Sequence, residues 1–385
     1  MTILANNHRR IIWADLAKGY GMLLVFAGHF IESLYWVGHP NAFEQFKWIY
    51  SFHMPFFFVL AGYLNGGRKA QDWRGFVRRK ISNRLVPFLF FNILALAFWI
   101  PSDITGHTAS LKGILVGFAK LLAGRPSFNL VTWFLACLLT VEILHYFIGG
   151  WLKNNFQLAV SSLLFLIGGW WLTWMIGAAP AVYQPIASVW YLFEAFVAYA
   201  FFQMGLLLRH SQALSSIEER HLPKIGLLGL AVLFFGLVSL TFDWNTGPSR
   251  LQPFALLMVA SSHGNLLLFP LTALFGFFFL VFLSQTTPAN RALLFVGRNS
   301  LALLGLNGIF YHFLNLPIAS RLNTWIPPSP WALGLAALTV SLLSIAACAP
   351  VILLLNARFP LLVGKRPSQP SLASLAGEEV SLTDF

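Results

Sequence analysis

The chain has 385 residues, 57% of them hydrophobic and only 10% charged, with a mean hydropathy of +0.71. A soluble domain carries about 25% charged residues, so this composition excludes a soluble globular fold and describes an all-α, polytopic integral membrane protein. The formal net charge of +12 does not imply a nucleic-acid partner, because the basic residues cluster in loops between apolar spans.

Arg9-Arg10 precede an apolar stretch that superficially resembles a signal peptide. That stretch carries Lys18, His29 and Glu32 and has no small-x-small cleavage site, so it reads as a retained helix. About ten transmembrane helices are expected, near 16–36, 48–66, 85–101, 129–149, 156–177, 187–208, 224–242, 255–285, 299–319 and 331–356. The eighth is too long and is interrupted by Ser261-Ser262-His263-Gly264-Asn265, which predicts a short re-entrant or interfacial piece followed by a span. The 38 Phe and 14 Trp suit a lipid-facing surface with aromatic belts, and Trp133-Phe134-Leu135 reads as part of a belt. With the N-terminus inside, 19 of the 25 Lys and Arg fall on the cytoplasmic side, which places both termini in the cytoplasm. Residues 1–366 form one transmembrane domain, and the Ser-rich 367–385 is expected to be a disordered cytoplasmic tail.

Ionisable groups inside a membrane helix are costly and mark function by default. Lys18 and His29 are eleven positions apart, three helical turns plus about 20°, so they share a face roughly 16 Å apart along the axis. Glu32 follows His29 at i+3 on the same side. A second histidine lies in Ser51-Phe52-His53-Met54-Pro55. Counted along their helices, His29, His53 and Glu194 fall at comparable depth in the outer half of the membrane. A His–His–Glu cluster open to one face is therefore expected.

Such a histidine can act as general base on a hydroxyl, with a carboxylate fixing its tautomer, or carry an acyl group transiently. It can also be a buried histidine bonded to a neighbouring helix. His53 has its own bland reading, stabilising the bend at Pro55. His312 falls in the ninth helix. Glu142 and Glu194 are further intramembrane carboxylates.

Between Arg68 and Arg84 lie seven basic residues, with Arg74–Arg78 and Lys80–Arg84 at i, i+4. These suit phosphates of a nucleotide-bearing cofactor, or anionic lipid contact and topology alone. Asn299 or Ser300 offers an N-cap for the ninth helix. Cys137 and Cys348 sit in apolar runs and read as packing residues. No Gly-rich phosphate loop, nucleophile elbow or metal spacing appears, so no metal is expected.

The order of several short motifs resembles acyltransferase family 3, membrane proteins that O-acylate sugars of surface polysaccharides and related glycans. The residues that carry it are Asp15-Leu16-Ala17-Lys18-Gly19, Gly28-His29, Phe52-His53-Met54-Pro55-Phe56-Phe57-Phe58 and Ala61-Gly62-Tyr63-Leu64. Arg84-Leu85-Val86-Pro87, Trp133-Phe134-Leu135 and Gly297-Arg298-Asn299-Ser300-Leu301 follow in the expected order. Lys18, where many members have Arg, is similar to the branch of fucose and nodulation-factor O-acetyltransferases. Asn307 departs from the family, which often has a histidine there. An amide cannot titrate, so a proton transfer assigned to that position has no carrier in this chain.

The resemblance implies an O-acetyltransferase of the cell membrane, bacterial inner or plasma, taking acetyl-CoA from the cytoplasm and passing acetyl to a sugar hydroxyl. His29 corresponds to the family's essential histidine and Lys18 to its basic partner. Arg78, Arg79, Lys80 and Arg84 become the residues expected to hold the CoA phosphates. Glu32 or Glu194 is expected to orient His29, and His53 to serve as second base or oxyanion donor. The partners implied are a glycan or lipid-linked sugar acceptor, membrane lipids and, since some relatives append one, a separate extracytoplasmic transferase. The residues alone leave two other readings: a transporter or flippase with Lys18, His29, Glu32 and Glu194 as a proton or substrate path, and an assembly subunit of a glycan-export complex.

Overall fold

The computed structural model describes residues 11–66, 72–102, 111–178, 188–212, 214, 222–246 and 256–365. The expected tail at 367–385, and Arg68 and Lys69 of the basic stretch, lie outside the described residues. Regular structure within them is helical: α1 (Ile12–Trp36), α2 (Ala42–Tyr50), α3 (His53–Asn65), α4 (Trp73–Lys80), α5 (Val86–Ser102), α6 (Leu111–Leu122), α7 (Trp133–Ile148), α8 (Asn155–Ala178), α9 (Glu194–His210), α10 (Lys224–Thr241), α11 (Leu268–Thr286), α12 (Arg291–Arg298), α13 (Ser300–Ile309), α14 (Asn315–Leu322) and α15 (Pro330–Arg358). The amphipathic α6 and α12 were not expected from the sequence.

Eight helical segments among the described residues are long and apolar enough to cross a membrane, from Trp73–Ile100 to Pro330–Arg358. The first two expected spans are not among them. α1 is 25 residues long, but Gly, His, Glu and Lys dilute its apolar residues. The expected continuous helix at 48–66 is instead two pieces, α2 and α3. The reason is Pro55, which has no N–H and whose ring would clash with the carbonyl of Ser51 in a continuous helix. The backbone breaks at Phe52 (φ −144°).

α1 is the central pillar. Trp13 to Ala17, Met22, Val25, Phe26, Phe30, Ile31 and Leu34 are all buried, against α2, α3 and the C-terminal helices α11 to α15. A second seam joins α3 to α9. There Gly62 faces the Phe202 carbonyl and Gly205 the Val59 carbonyl so closely that a Cβ at either position would overlap backbone. Small residues at membrane helix crossings permit this approach. α8 and α10 lie at the periphery and present Leu163, Leu164, Trp171, Ile225 and Val232 outward.

Two further prolines shape the interior. Pro87 cannot donate to Asn83, and the helix opens into a π turn at Ile81–Leu85. The freed Asn83 carbonyl accepts from Arg84 instead (3.1 Å). Pro317 likewise follows a π turn at Phe310–Leu314, the segment that carries Tyr311 and His312. Cys137 and Cys348 are buried free thiols, as expected. Asn299 occupies the position before α13, but its side chain makes no capping bond. It donates to the Phe295 carbonyl (2.8 Å) and accepts from Asn356 on α15 (2.9 Å).

Candidate active site

His29 and Glu32, both half-buried on α1, line a cavity of about 380 Å³ together with Tyr50, His53 and Tyr311. The two histidines of the expected His–His–Glu cluster are therefore brought together, but the carboxylate beside them is Glu32 and not Glu194. Nδ1 of His29 lies 2.5 Å from Oδ1 of Asn307 on α13. The Tyr311 ring stands 4.9 Å from the His29 ring. Glu32 does not reach His29. Its two oxygens accept from Tyr50 (3.0 Å) and Tyr311 (3.2 Å).

His53 is placed by the break at Phe52. In a continuous helix the Ile49 carbonyl would accept from the His53 backbone N–H. Here the imidazole Nδ1 takes that role at 2.9 Å. A carbonyl only accepts, so Nδ1 carries the proton and the neutral ring offers an unprotonated Nε2. This arrangement suits a second base and removes the oxyanion-donor role from neutral His53. It also satisfies the structural reading, since the ring closes the bend.

The opposite wall is apolar: Leu130, Val131 and Trp133 from one segment, Leu257 to Ala260 from another. The first is pinned by Asn92, whose side chain accepts from Asn129 N–H (3.1 Å) and donates to Thr132 (2.8 Å), and by Asn129, which donates to the Gly305 carbonyl (2.8 Å). His312 belongs to the same fastening, with Nε2 accepting from the Leu130 N–H at 3.0 Å. The second segment is the interrupted start of the expected eighth span. A tight turn between Leu257 and Ser262, with Ser261 at φ +52°, closes it. His263 anchors it to Thr173 of α8 (3.1 Å). Trp133-Phe134-Leu135 is not an aromatic belt: all three are buried, Trp133 in this cavity and the other two in the next.

That next cavity, about 240 Å³, lies at the Lys18 end of α1 and is walled by Lys18, Met22, Phe57, Leu60, Leu135, Leu138, Arg84 and Leu304. Met54 lines both cavities. Lys18 is held by Asp15 (3.0 Å), which also meets Arg298 (3.4 Å). Arg84 grips both oxygens of Glu142 at 3.1 Å, and Lys80 adds a 2.6 Å ion pair to the same carboxylate. On the other side of Glu142 is a larger cavity of about 530 Å³ that also contains Arg79, Lys80, His145, Tyr146 and His210. Nε of Arg79 is buried there without a partner. Arg78 is exposed and lines none of the three cavities.

Glu194 stands apart. It is fully buried, bonded to the Ser188 hydroxyl and N–H, and lines neither cavity on α1. Sequence reasoning missed Tyr50, Tyr311 and the contact made by Asn307. Spacing held a signal for one pair, since Asn307 and Tyr311 lie at i, i+4, whereas Tyr50 and His53 meet across the break at Phe52. Among the described residues no group of three His, Cys, Asp or Glu is placed to hold a metal ion.

An all-helical membrane bundle whose central helix carries a histidine into an internal cavity defines the class. The chain belongs to acyltransferase family 3: the family's acyltransferase domain matches residues 11–349. Among curated proteins it is similar to nodulation protein NolL of Mesorhizobium japonicum (strain LMG 29417 / CECT 9101 / MAFF 303099), with 35% identity over 91 residues. That similarity spans 23% of this chain and 24% of NolL, about a quarter of each. No solved structure matches.

Proposed function

We propose that this protein is an O-acetyltransferase of the cell membrane, moving acetyl from cytoplasmic acetyl-CoA to a sugar hydroxyl of a surface polysaccharide or lipid-linked glycan. The observation that carries this reading is Met54, one side chain between a cavity bearing Lys18 and Arg84 and a cavity bearing His29 and His53. A donor entering at the basic end and an acceptor entering at the other can meet there. The similarity to a nodulation protein and the Lys18 branch motif support a glycan acceptor.

In this reading Arg79, with its unpartnered Nε, and Lys80 face the donor's phosphates. Lys18 and Arg84 flank the arm that carries the thioester. His29 Nε2 takes the hydroxyl proton as that oxygen attacks the thioester carbonyl carbon. The C–O bond forms, the C–S bond breaks, and the proton passes from His29 to the leaving thiolate. The products are the sugar ester and free CoA thiol. The mostly apolar lining of the His29 cavity strengthens each of these polar contacts. Where the acceptor lies outside the membrane, a separate extracytoplasmic transferase completes the transfer.

The test is incubation of purified wild type and His29→Ala with acetyl-labelled acetyl-CoA and glycan lipids, following CoA release and label transfer. Transfer by wild type that is lost in the folded variant is expected. Equal transfer by both removes His29 from the chemistry, and no transfer by wild type overturns the O-acetyl reading. Acid quench and peptide mass spectrometry separate a base from an acyl carrier, which would leave acetyl on His29.

A further inference from the structure

We propose that Asn307 is a positioning residue that fixes His29 as its Nδ1–H tautomer and so makes Nε2 the base. The proposal rests on the reading of His29 given above. In a neutral imidazole one nitrogen donates and the other accepts, and the bond made by one sets the role of the other. Nδ1 of His29 meets the Asn307 amide oxygen at 2.5 Å. That oxygen accepts only, so the proton sits on Nδ1 and Nε2 is left with its lone pair.

The amide is held where it can do this. Asn307 is 0% exposed, and α13 is tied at Gly305 to Asn129. The Tyr311 ring, packed on His29 and bonded to Glu32, resists rotation of the imidazole. Nδ2 of Asn307 has no partner. Reversing the amide would pair Nδ2 but leave Oδ1 bare and put a proton on Nε2, where it would face the proton to be removed.

The titratable groups facing His29 are Glu32 on α1, Tyr50 on α2, His53 on α3, and Tyr311 and His312 on the π turn. The segments at 130–133 and 257–260 present apolar side chains. Glu32, the carboxylate beside His29 among the described residues, is engaged by the two tyrosines. An uncharged amide then gives His29 a partner whose acceptor role does not change with pH. Where the family often has a histidine, Asn307 thus keeps a fixed acceptor for His29 but carries no proton of its own.

The experiment uses full-length protein carrying Asn307→Asp or Asn307→Leu. It records the pH–rate profile of acetyl transfer and, independently of turnover, the pH dependence of His29 carbethoxylation by diethyl pyrocarbonate, resolved by peptide mass spectrometry. The Leu variant should lose kcat on the order of 100-fold with KM for acetyl-CoA unchanged. The Asp variant should retain turnover and move both the acid limb and the carbethoxylation midpoint up by about one pH unit, because a carboxylate stabilises the imidazolium.

Wild-type kcat and midpoints in both variants overturn the proposal. So does an Asp variant that fails while the Leu variant works, since no acceptor would then be needed at Nδ1. If the Leu variant does not fold, the Asp profile decides. Absence of transfer by wild type, with the His29 midpoint still moving in the Asp variant, sinks the acetyl-transfer reading and leaves the Asn307 assignment standing.

Discussion

The Tyr311 hydroxyl donates to Oε1 of Glu32 at 3.2 Å, and the ring it belongs to stands 4.9 Å from His29. Tyr50 repeats the pattern on the other side, donating to Oε2 at 3.0 Å with its ring 4.5 Å from His53. One carboxylate therefore holds two aromatic rings, each against one histidine. Glu32→Gln keeps one accepting oxygen and releases one ring. A hydrogen bond to a charged group contributes about 1.5–3 kcal/mol, so kcat should fall by about tenfold or more, with KM for the donor unchanged. Steady-state kinetics check this, and Glu32→Ala should be the more damaging substitution.

Met54 is expected to set the acyl length. A pocket distinguishes one methylene by about 1–3 kcal/mol. Met54→Ala opens the boundary between the two cavities and should reduce the preference for acetyl over butyryl donors by at least about tenfold. Competition between labelled acyl-CoA species measures it. Unchanged selectivity in an active variant would remove Met54 from the acyl path.

Glu142 is 5% exposed and carries two cations, Lys80 at 2.6 Å and Arg84 at 3.1 Å. Removing one partner from a buried ion pair costs about 3–5 kcal/mol, because a buried charge is left unmatched. Glu142→Gln strands two cations and should lower the melting temperature in detergent more than Lys80→Met, which leaves the Arg84–Glu142 pair intact.

Pro55 interrupts what would otherwise be one helix through 42–65. Pro55→Ala restores a backbone donor and favours joining α2 to α3. The Ile49 carbonyl, which accepts from the Phe52 N–H at 3.3 Å as well as from the imidazole, would then accept from the His53 N–H, and His53 would lose its Nδ1 partner. Activity should fall while the folded yield on size exclusion is kept.

The site was legible where one helix carried it. Lys18, His29 and Glu32 could be aligned from the helical repeat alone, and α1 is indeed a single uninterrupted helix. His53 could be singled out as a histidine before a membrane proline, and its second reading as the closure of a bend is met by the bond to Ile49. Partner choice was not legible. Asn307 is 278 positions from His29, and Glu142 gathers Lys80 and Arg84 from a helix that only the fold sets beside it.

Composition, apolar run length and the 3.6-residue repeat are local quantities, and they were enough to determine an all-α membrane protein and the ionisable stripe on its first helix. Its motif order was enough for the family. The tertiary structure alone decided that Glu32 serves two tyrosines, that Glu194 lies away from the histidines, and that Trp133 and Phe134 face inward. Those outcomes depend on which helix faces lie together. A buried polar group takes whichever partner the packing brings within about 3 Å, and no periodicity within a single helix records that choice.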